Sequence, residues 1–342
     1  MHMPLRSGKV PPESLTNVVF KYLGVPSKKL LLGPGIGEDA AIVDMGKKVL
    51  VVTTDPITWA TENVGWLSVH INANDVASRG ARPRWYLCSI LLHERSNRTV
   101  LRGIMRQIDK AARELDVTVA GGHTEVTPGL DRPIVIGFMI GETPRKRFVT
   151  SGGAKPGDAI ILTKGAGLEG TAILATELLN RLRETVNQGT LNRARQFIRK
   201  ISIVQEAMTA VNVGCVHALH DPTEGGLITG LWELAEASKT GFRVEEKKVI
   251  VPPETRAVCE ALAIDPLRVM SSGALLIACS NSSSRRMLSA LEKERIPASQ
   301  IGKIVLRREG RILTRRDGAS LHVAPPLSDD LYKILGKEKS LR

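Results

Sequence analysis

The chain has 342 residues, 42% of them hydrophobic, which is too long for one ordinary core and apolar enough to fill two. It contains no run of eighteen apolar residues, no apolar stretch behind the opening MHMPLRSGKVPP and no C-x-x-C pair among four scattered cysteines, so a cytoplasmic protein without a membrane span is expected. A formal net charge of +13 favours any polyanion, yet only 4% of residues are aromatic and the basic residues are spread out, which makes a nucleic-acid module the lesser reading.

In chain order, VLVVTT (49–54) reads as a strand, short, β-rich and bounded by turn residues. Residues 64–79 follow with apolar positions at helical spacing, then a strand at RWYLCSILL (84–92) and a helix over 97–116, opened by Asn97 as N-cap. Strands at VTVAG (117–121) and PIVIGFMIG (133–141) complete a first domain over 1–150. The stretch TPRKRFVTSGGAKPGD (143–158) breaks the periodicity and marks the boundary. A second domain over 151–330 opens with a strand at DAIILTK (158–164), continues with helices within 168–199, 202–219 and 223–239, and ends with strands at ALLIACS (274–280) and QIGKIVLR (300–307). Residues 331–342 form a charged tail whose end, GKEKSLR, is expected to fray.

Six acidic or glycine-rich stretches fall at expected strand ends: GPGIGEDAA (33–41), TTDP (53–56), NANDVASRGARP (72–83), GGHTEV (121–126), KGAGLEGTA (164–172) and HDPTEGGL (220–227). Each has an ordinary explanation. Asp55 before Pro56 could start a turn, Gly121 and Gly122 could end a strand, and Asp221-Pro222-Thr223 could cap the next helix. Together, however, Asp39, Asp55, Asp75 and Asp221 are four carboxylates with no lysine or arginine obvious beside them in sequence. If they converge, a hard divalent cation would neutralise them, and Mg²⁺ held this way normally shares its other ligands with nucleotide phosphates. Glycines then let backbone N–H groups approach the anion.

Neither G-x-x-x-x-G-K-[ST] nor G-x-G-x-x-G occurs, so a different ATP-binding architecture is needed. His217 and His220, three apart on an expected helix, lack the further ligands of a zinc site. His70 and His93 read as packing or surface residues, Cys215 and Cys279 as buried thiols, and no G-x-S-x-G elbow is present.

The ordered motifs GIGEDAAIV, TTD, NDVASRGARP, GGHTE, GDAIIL with GAGLEGTAILA, DPTEGGL and SSGALLIA resemble the superfamily of aminoimidazole ribonucleotide (AIR) synthase, also called PurM-like. That superfamily includes the hydrogenase maturation factor HypE, selenophosphate synthetase, thiamine-monophosphate kinase and formylglycinamide ribonucleotide amidotransferase. The resemblance runs from about residue 8 to 325. It implies a two-domain α/β fold of the α+β type, whose N-terminal domains pair in a homodimer and form a shared β-barrel, with ATP and Mg²⁺ in the adjoining cleft. It implies metal-ligand roles for Asp39, Asp55, Asp75 and Asp221 with Asn74 beside them, and places His123 with Asp39, Asp55 and Asp75 in the catalytic set. Gly121, Gly122 and Thr124 would face the phosphates, Gly35 and Gly37 would shape the loop over them, and Lys9 is the N-terminal candidate for a phosphate contact.

Within the superfamily, DPTEGGL followed by GLWELAEA, SSGALLIA and RSGKVPPESL are most similar to HypE, which acts on its own C-terminal cysteine. The last cysteine here is Cys279, in an expected strand, so that self-modification is not carried over. His123 stands where HypE-like sequences have Asp, though selenophosphate synthetase has a similar GGHT. The N-terminal nucleophile of that enzyme has no counterpart, since the first cysteine is Cys88. The resemblance implies an ATP- and Mg²⁺-dependent enzyme that phosphorylates an amide-like or phosphate oxygen of a small-molecule or protein-borne substrate, with a maturation factor as a further partner. The alternatives are a phosphotransferase like thiamine-monophosphate kinase or selenophosphate synthetase, and a non-catalytic ATP-binding scaffold.

Overall fold

The computed structural model describes residues 9–58, 62–325 and 329–340. The chain forms two compact units. One comprises Ser27–Gly33 and Asp39–Phe148; the other comprises Pro34–Glu38, Val149 onward and the described residues up to Pro26. A division into two consecutive blocks is thus modified by two N-terminal segments that group with the later residues.

After the short helix α1 (Pro12–Asn17), the first unit builds one mixed sheet from β1 (Leu30–Leu32), β2 (Ala41–Asp44), β3 (Lys48–Ile57), β4 (Arg82–Leu92), β5 (Thr118–Val126) and β6 (Ile134–Pro144). Its order is β1-β2-β3-β6-β4-β5, antiparallel except for β4 beside β5. The parallel pair follows from its connection, because α3 (Arg98–Glu114) crosses over between the two strands. Asn97 caps α3 as expected, its side chain accepting from the N–H groups of Thr99 and Val100. Helix α2 (Val64–Ser78) packs on β3, β4, β6 and α3, and each of its residues is buried. Its close approach needs glycine opposite: a Cβ on Gly137 would lie 2.2 Å from Asn72 Nδ2, and one on Gly141 2.3 Å from a Val76 methyl. The sheet is open within one chain, with β1 and β5 as edges.

The second unit contains β7 (Ala159–Thr163), α4 (Leu168–Glu177), α5 (Leu179–Leu182), α6 (Gln188–Arg195), α7 (Val204–Val213), β8 (Val216–His220), α8 (Gly226–Ala237), β9 (Gly241–Glu245), α9 (Pro253–Leu262), β10 (Leu276–Cys279), α10 (Ser284–Lys293), β11 (Ala298–Val305), β12 (Arg311–Thr314), β13 (Ser320–His322) and α11 (Asp330–Ser340). Its sheet runs β13-β12-β9-β11-β7-β10-β8. Ile160, Leu162, Leu276 and Phe242 from the strands pack with Leu227, Leu231 and Leu234 of α8 in the main core of this unit.

Three expectations need correction. The helix over 202–219 stops at Val213, because Gly214 and Cys215 both take positive φ, and Val216–His220 becomes a strand. His217 and His220 therefore sit on β8 rather than on a helix. The tail is helical to Ser340 instead of frayed, anchored by the buried Leu331 and Leu335; its last two residues lie outside the described ones, as do Ser7 and Gly8 before Lys9.

Candidate active site

Three of the four aspartates belong to the first unit. Asp55 lies inside β3, paired opposite Gly137, so TTDP is strand rather than turn. Its main chain is gripped from α2: Asp55 N–H donates to Asn72 Oδ1 at 2.9 Å, and Asn72 Nδ2 donates back to the Asp55 carbonyl at 3.2 Å. Asp75 is 4% exposed in α2, and its Oδ2 lies 2.8 Å from the Thr53 hydroxyl. The same hydroxyl lies 2.9 Å from the Asp39 carbonyl, so one buried threonine links the strand, the helix and the segment entering β2. Thr53 and Asp55 are two residues apart and share the face of β3 turned to α2. Asn74 is fully buried in the same helix.

Asp39 has a partner that sequence reasoning missed. Arg79, fully buried at the end of α2, donates from Nη2 to Asp39 Oδ2 at 2.6 Å, and the Ser78 hydroxyl lies 3.4 Å from the same oxygen. The expectation of four carboxylates without a basic neighbour is corrected accordingly: Arg79 follows Asp75 by one helical turn, a spacing that places the pair on one face. Among the described residues no three His, Cys, Asp or Glu side chains gather as a preformed metal cage.

Gly121, Gly122, His123 and Thr124 lie in the middle of β5, not at its end. The register joins them to the aspartate: Asp55 pairs with Gly137, Gly137 with Cys88, and Cys88 with Gly122, one row across four strands. At sheet spacing that row spans roughly 14 Å. A Cβ on Gly122 would fall 2.1 Å from the Cys88 carbonyl oxygen, so the backbone there must be bare. His123 is exposed and bonds Glu125 at 3.1 Å, while the Thr127 hydroxyl and then His123 hold the Glu125 carboxyl below its usual range.

The remaining candidates lie in the second unit. Gly37 has φ of 79°, and a Cβ there would sit 2.7 Å from the Glu233 carbonyl; Gly35 is two residues before it in the same short segment. Asp221 is 1% exposed just beyond β8. The following α8 is capped by Gly225 in a left-handed conformation rather than by Asp221 or Thr223. Lys9 reaches this turn, donating to Thr223 Oγ1 at 3.0 Å and pairing with Glu224 at 3.3 Å and Glu233 at 3.9 Å. Burial pushes the Glu224 carboxyl up, and the Lys9 ammonium does most to offset this, so it ends below its ordinary value.

Among the described residues His217 and His220 belong to no cluster of three metal-ligating side chains: His217 bonds Asp158 at 2.8 Å, and His220 bonds Glu233 at 3.0 Å. His70 packs on Trp66, their ring centroids 4.3 Å apart. Cys279 is a buried thiol, pushed up to about 11 by burial, whereas Cys215 is exposed, contrary to expectation, because the bend before β8 turns it outward.

A family model described as AIR synthase related protein, N-terminal domain, matches residues 37–143, and one described as AIR synthase related protein, C-terminal domain, matches 155–314. The chain is 28% identical to a putative hydrogenase expression/formation protein of Methanocaldococcus jannaschii, over 96% of this chain and 97% of that one. It is 32% identical to carbamoyl dehydratase HypE of Cupriavidus necator, over 79% and 77%. The solved structure of hydrogenase maturation protein HypE in complex with ATP shares the fold, with a TM-score of 0.70 at 24% identity, covering 96% of this chain and 98% of that one.

Proposed function

The chain belongs to the AIR synthase related protein family, and from that membership we propose that it is an ATP- and Mg²⁺-dependent enzyme that transfers the γ-phosphoryl group of ATP to an oxygen of its acceptor. The name of the Cupriavidus relative points to the acceptor class. A carbamoyl dehydratase removes water from an amide, and phosphorylating the amide oxygen turns it into a leaving group. The acceptor proposed here is therefore an amide-like oxygen on a small molecule or partner protein, with hydrogenase maturation as the setting and the cytoplasm as the compartment.

The observation that carries this reading is the docking of α2 on β3 at the two acids: Asp75 accepts from the Thr53 hydroxyl, and Asn72, one turn before Asp75, holds the main chain of Asp55. Two hard carboxylates fit Mg²⁺ when nucleotide phosphates and waters supply its other ligands, a mode that requires no cage of three acids. Such an ion would neutralise charge on the transferring phosphoryl group. On this reading Arg79 holds Asp39 in place, the bare backbone at Gly121 and Gly122 admits phosphate oxygens with Thr124 beside it, and Lys9 supplies a cation. Asp221 would be a further metal ligand, and His123 would orient a phosphate or acceptor oxygen. The homodimer is supported by β5, an edge strand with all nine residues exposed, and by Trp85 on the adjacent β4 and Phe138 on β6 beyond it, 40% and 37% exposed.

Calorimetry with Mg-ATP tests the site. Asp55→Asn and Asp75→Asn should each weaken binding by about a hundredfold or more while the protein melts as a folded chain; unchanged affinity in both removes it. ADP release across amide and phosphate acceptors then tests the reaction.

A further inference from the structure

The loop carrying Gly35 and Gly37 is held by a ring of contacts within the second unit, starting at its next residue. Glu38 Oε2 accepts from the Ser151 main-chain N–H at 3.3 Å. The Ser151 hydroxyl lies 3.2 Å from His220 Nδ1, and His220 Nε2 lies 3.0 Å from Glu233 Oε2. The Glu233 main chain then closes on Gly37, where even a Cβ would approach its carbonyl oxygen to 2.7 Å. Ser151 and His220 are 0% and 1% exposed, so the middle of the ring is dry, whereas the other Glu233 oxygen faces Lys9 at 3.9 Å.

We propose that Glu233 and His220 are positioning residues of the nucleotide loop: through Ser151 and Glu38 they fix the Gly35–Gly37 backbone, and through Glu233 they aim Lys9 at the same place. The inference rests on the proposed nucleotide site. Its physical basis is that a glycine loop is a poor phosphate cradle when free, because glycine has the most conformations to lose on binding. Buried, charge-assisted hydrogen bonds remove that freedom beforehand. His220 meets a polar partner on each side of its ring: Nε2 donates to the Glu233 carboxylate, and Nδ1 lies against the Ser151 hydroxyl, which also reaches the Leu219 carbonyl at 3.2 Å. Glu233 then keeps one oxygen for the ring and one for the ammonium. The glutamate of GLWELAEA thus ties His220 to Lys9, one carboxylate oxygen facing each.

The test measures two quantities on the full chain: hydrogen exchange at the Gly35–Glu38 amides without nucleotide, and Mg-ATP and AMP affinity by calorimetry. Glu233→Ala should speed exchange of those amides about tenfold and weaken Mg-ATP about tenfold, leaving AMP binding and the melting midpoint within a few degrees of the parent. Glu233→Gln, which keeps a hydrogen-bonding oxygen, should recover most of the exchange protection. Ser151→Ala and His220→Gln open the ring from its far side without touching Lys9, so they serve if Glu233→Ala does not fold. Unchanged loop exchange in folded variants overturns the proposal, and so does an equal loss of AMP and Mg-ATP. Failure of the parent chain to bind Mg-ATP would instead count against the nucleotide site, with the exchange readout still deciding whether the ring holds the loop.

Discussion

Asp39 and Arg79 show what a single buried pair contributes. The guanidinium is fully buried and meets a carboxylate only 16% exposed, so removing it leaves an anion with little water. Arg79→Met should cost about 3 kcal/mol in chemical denaturation, more than a surface pair would. Arg79→Lys should recover only part, since an ammonium is one compact centre without the planar fork whose Nε and Nη2 both reach the Ser78 hydroxyl. Gly37→Ala has a different cause, positive φ and a backbone oxygen 2.7 Å from the new methyl, and should cost roughly 2 kcal/mol and weaken Mg-ATP binding. Asp39, Asp55 and Asp75 could be singled out as candidates from the sequence because motif and residue type coincide there. Thr53, Asn72, Arg79 and Glu233 were not, because each acts on a residue of another segment, from 14 to 196 positions away. Only the one-turn spacing of Asp75 and Arg79 gave a local sign of them.

At the scale of elements, the strand and helix pattern of the first unit was readable because α2 and α3 alternate with strands of clear period. β8 was misread because VHALH follows a helical run with no proline between, and only the positive φ at Gly214 and Cys215 separates them. The exposed edge of β5 leads to a prediction about assembly. If a second copy covers it, Val119→Lys and Phe138→Glu should shift the light-scattering mass from dimer to monomer with each subunit still folded. Helix α11 leads to another, set by pH. Asp329 accepts from Leu331 N–H at 2.7 Å and Gly225 N–H at 2.6 Å, joining the starts of α11 and α8. Burial first, with the like charges of Glu224 and Asp330 adding to it, pushes its carboxyl up to about 7, although the two N–H bonds pull it down. The folded protein therefore holds this proton more tightly than the unfolded chain. The contribution is complete below about pH 4, falls as pH rises towards about 7, and levels off beyond. Corrected hydrogen exchange at Leu331 and Gly225 should show protection declining across that window, and Asp329→Asn should flatten it.

For the whole molecule, the family was legible because its acidic and glycine-rich motifs follow one another in a fixed order along the chain. The grouping of Pro34–Glu38 and the residues up to Pro26 with Val149 onward was not, because nothing in composition marks a segment that returns to a later partner. The dispersed charge of +13 is likewise silent about assembly, although it favours a triphosphate at the level of the whole field. Ligand linkage gives the most demanding global check. A nucleotide that binds only the native chain adds about 2.7 kcal/mol at a hundredfold excess over its dissociation constant, which for a protein of this size is a midpoint rise of roughly 4 °C. Mg-ATP should produce that rise in the parent chain. A chelator should abolish most of it if carboxylates and phosphates share a cation, and Asp55→Asn should behave as the chelated protein does without further change. If ATP stabilises equally with chelator present, the acids serve the fold instead, and the phosphates are held by the glycine backbone and Lys9 alone.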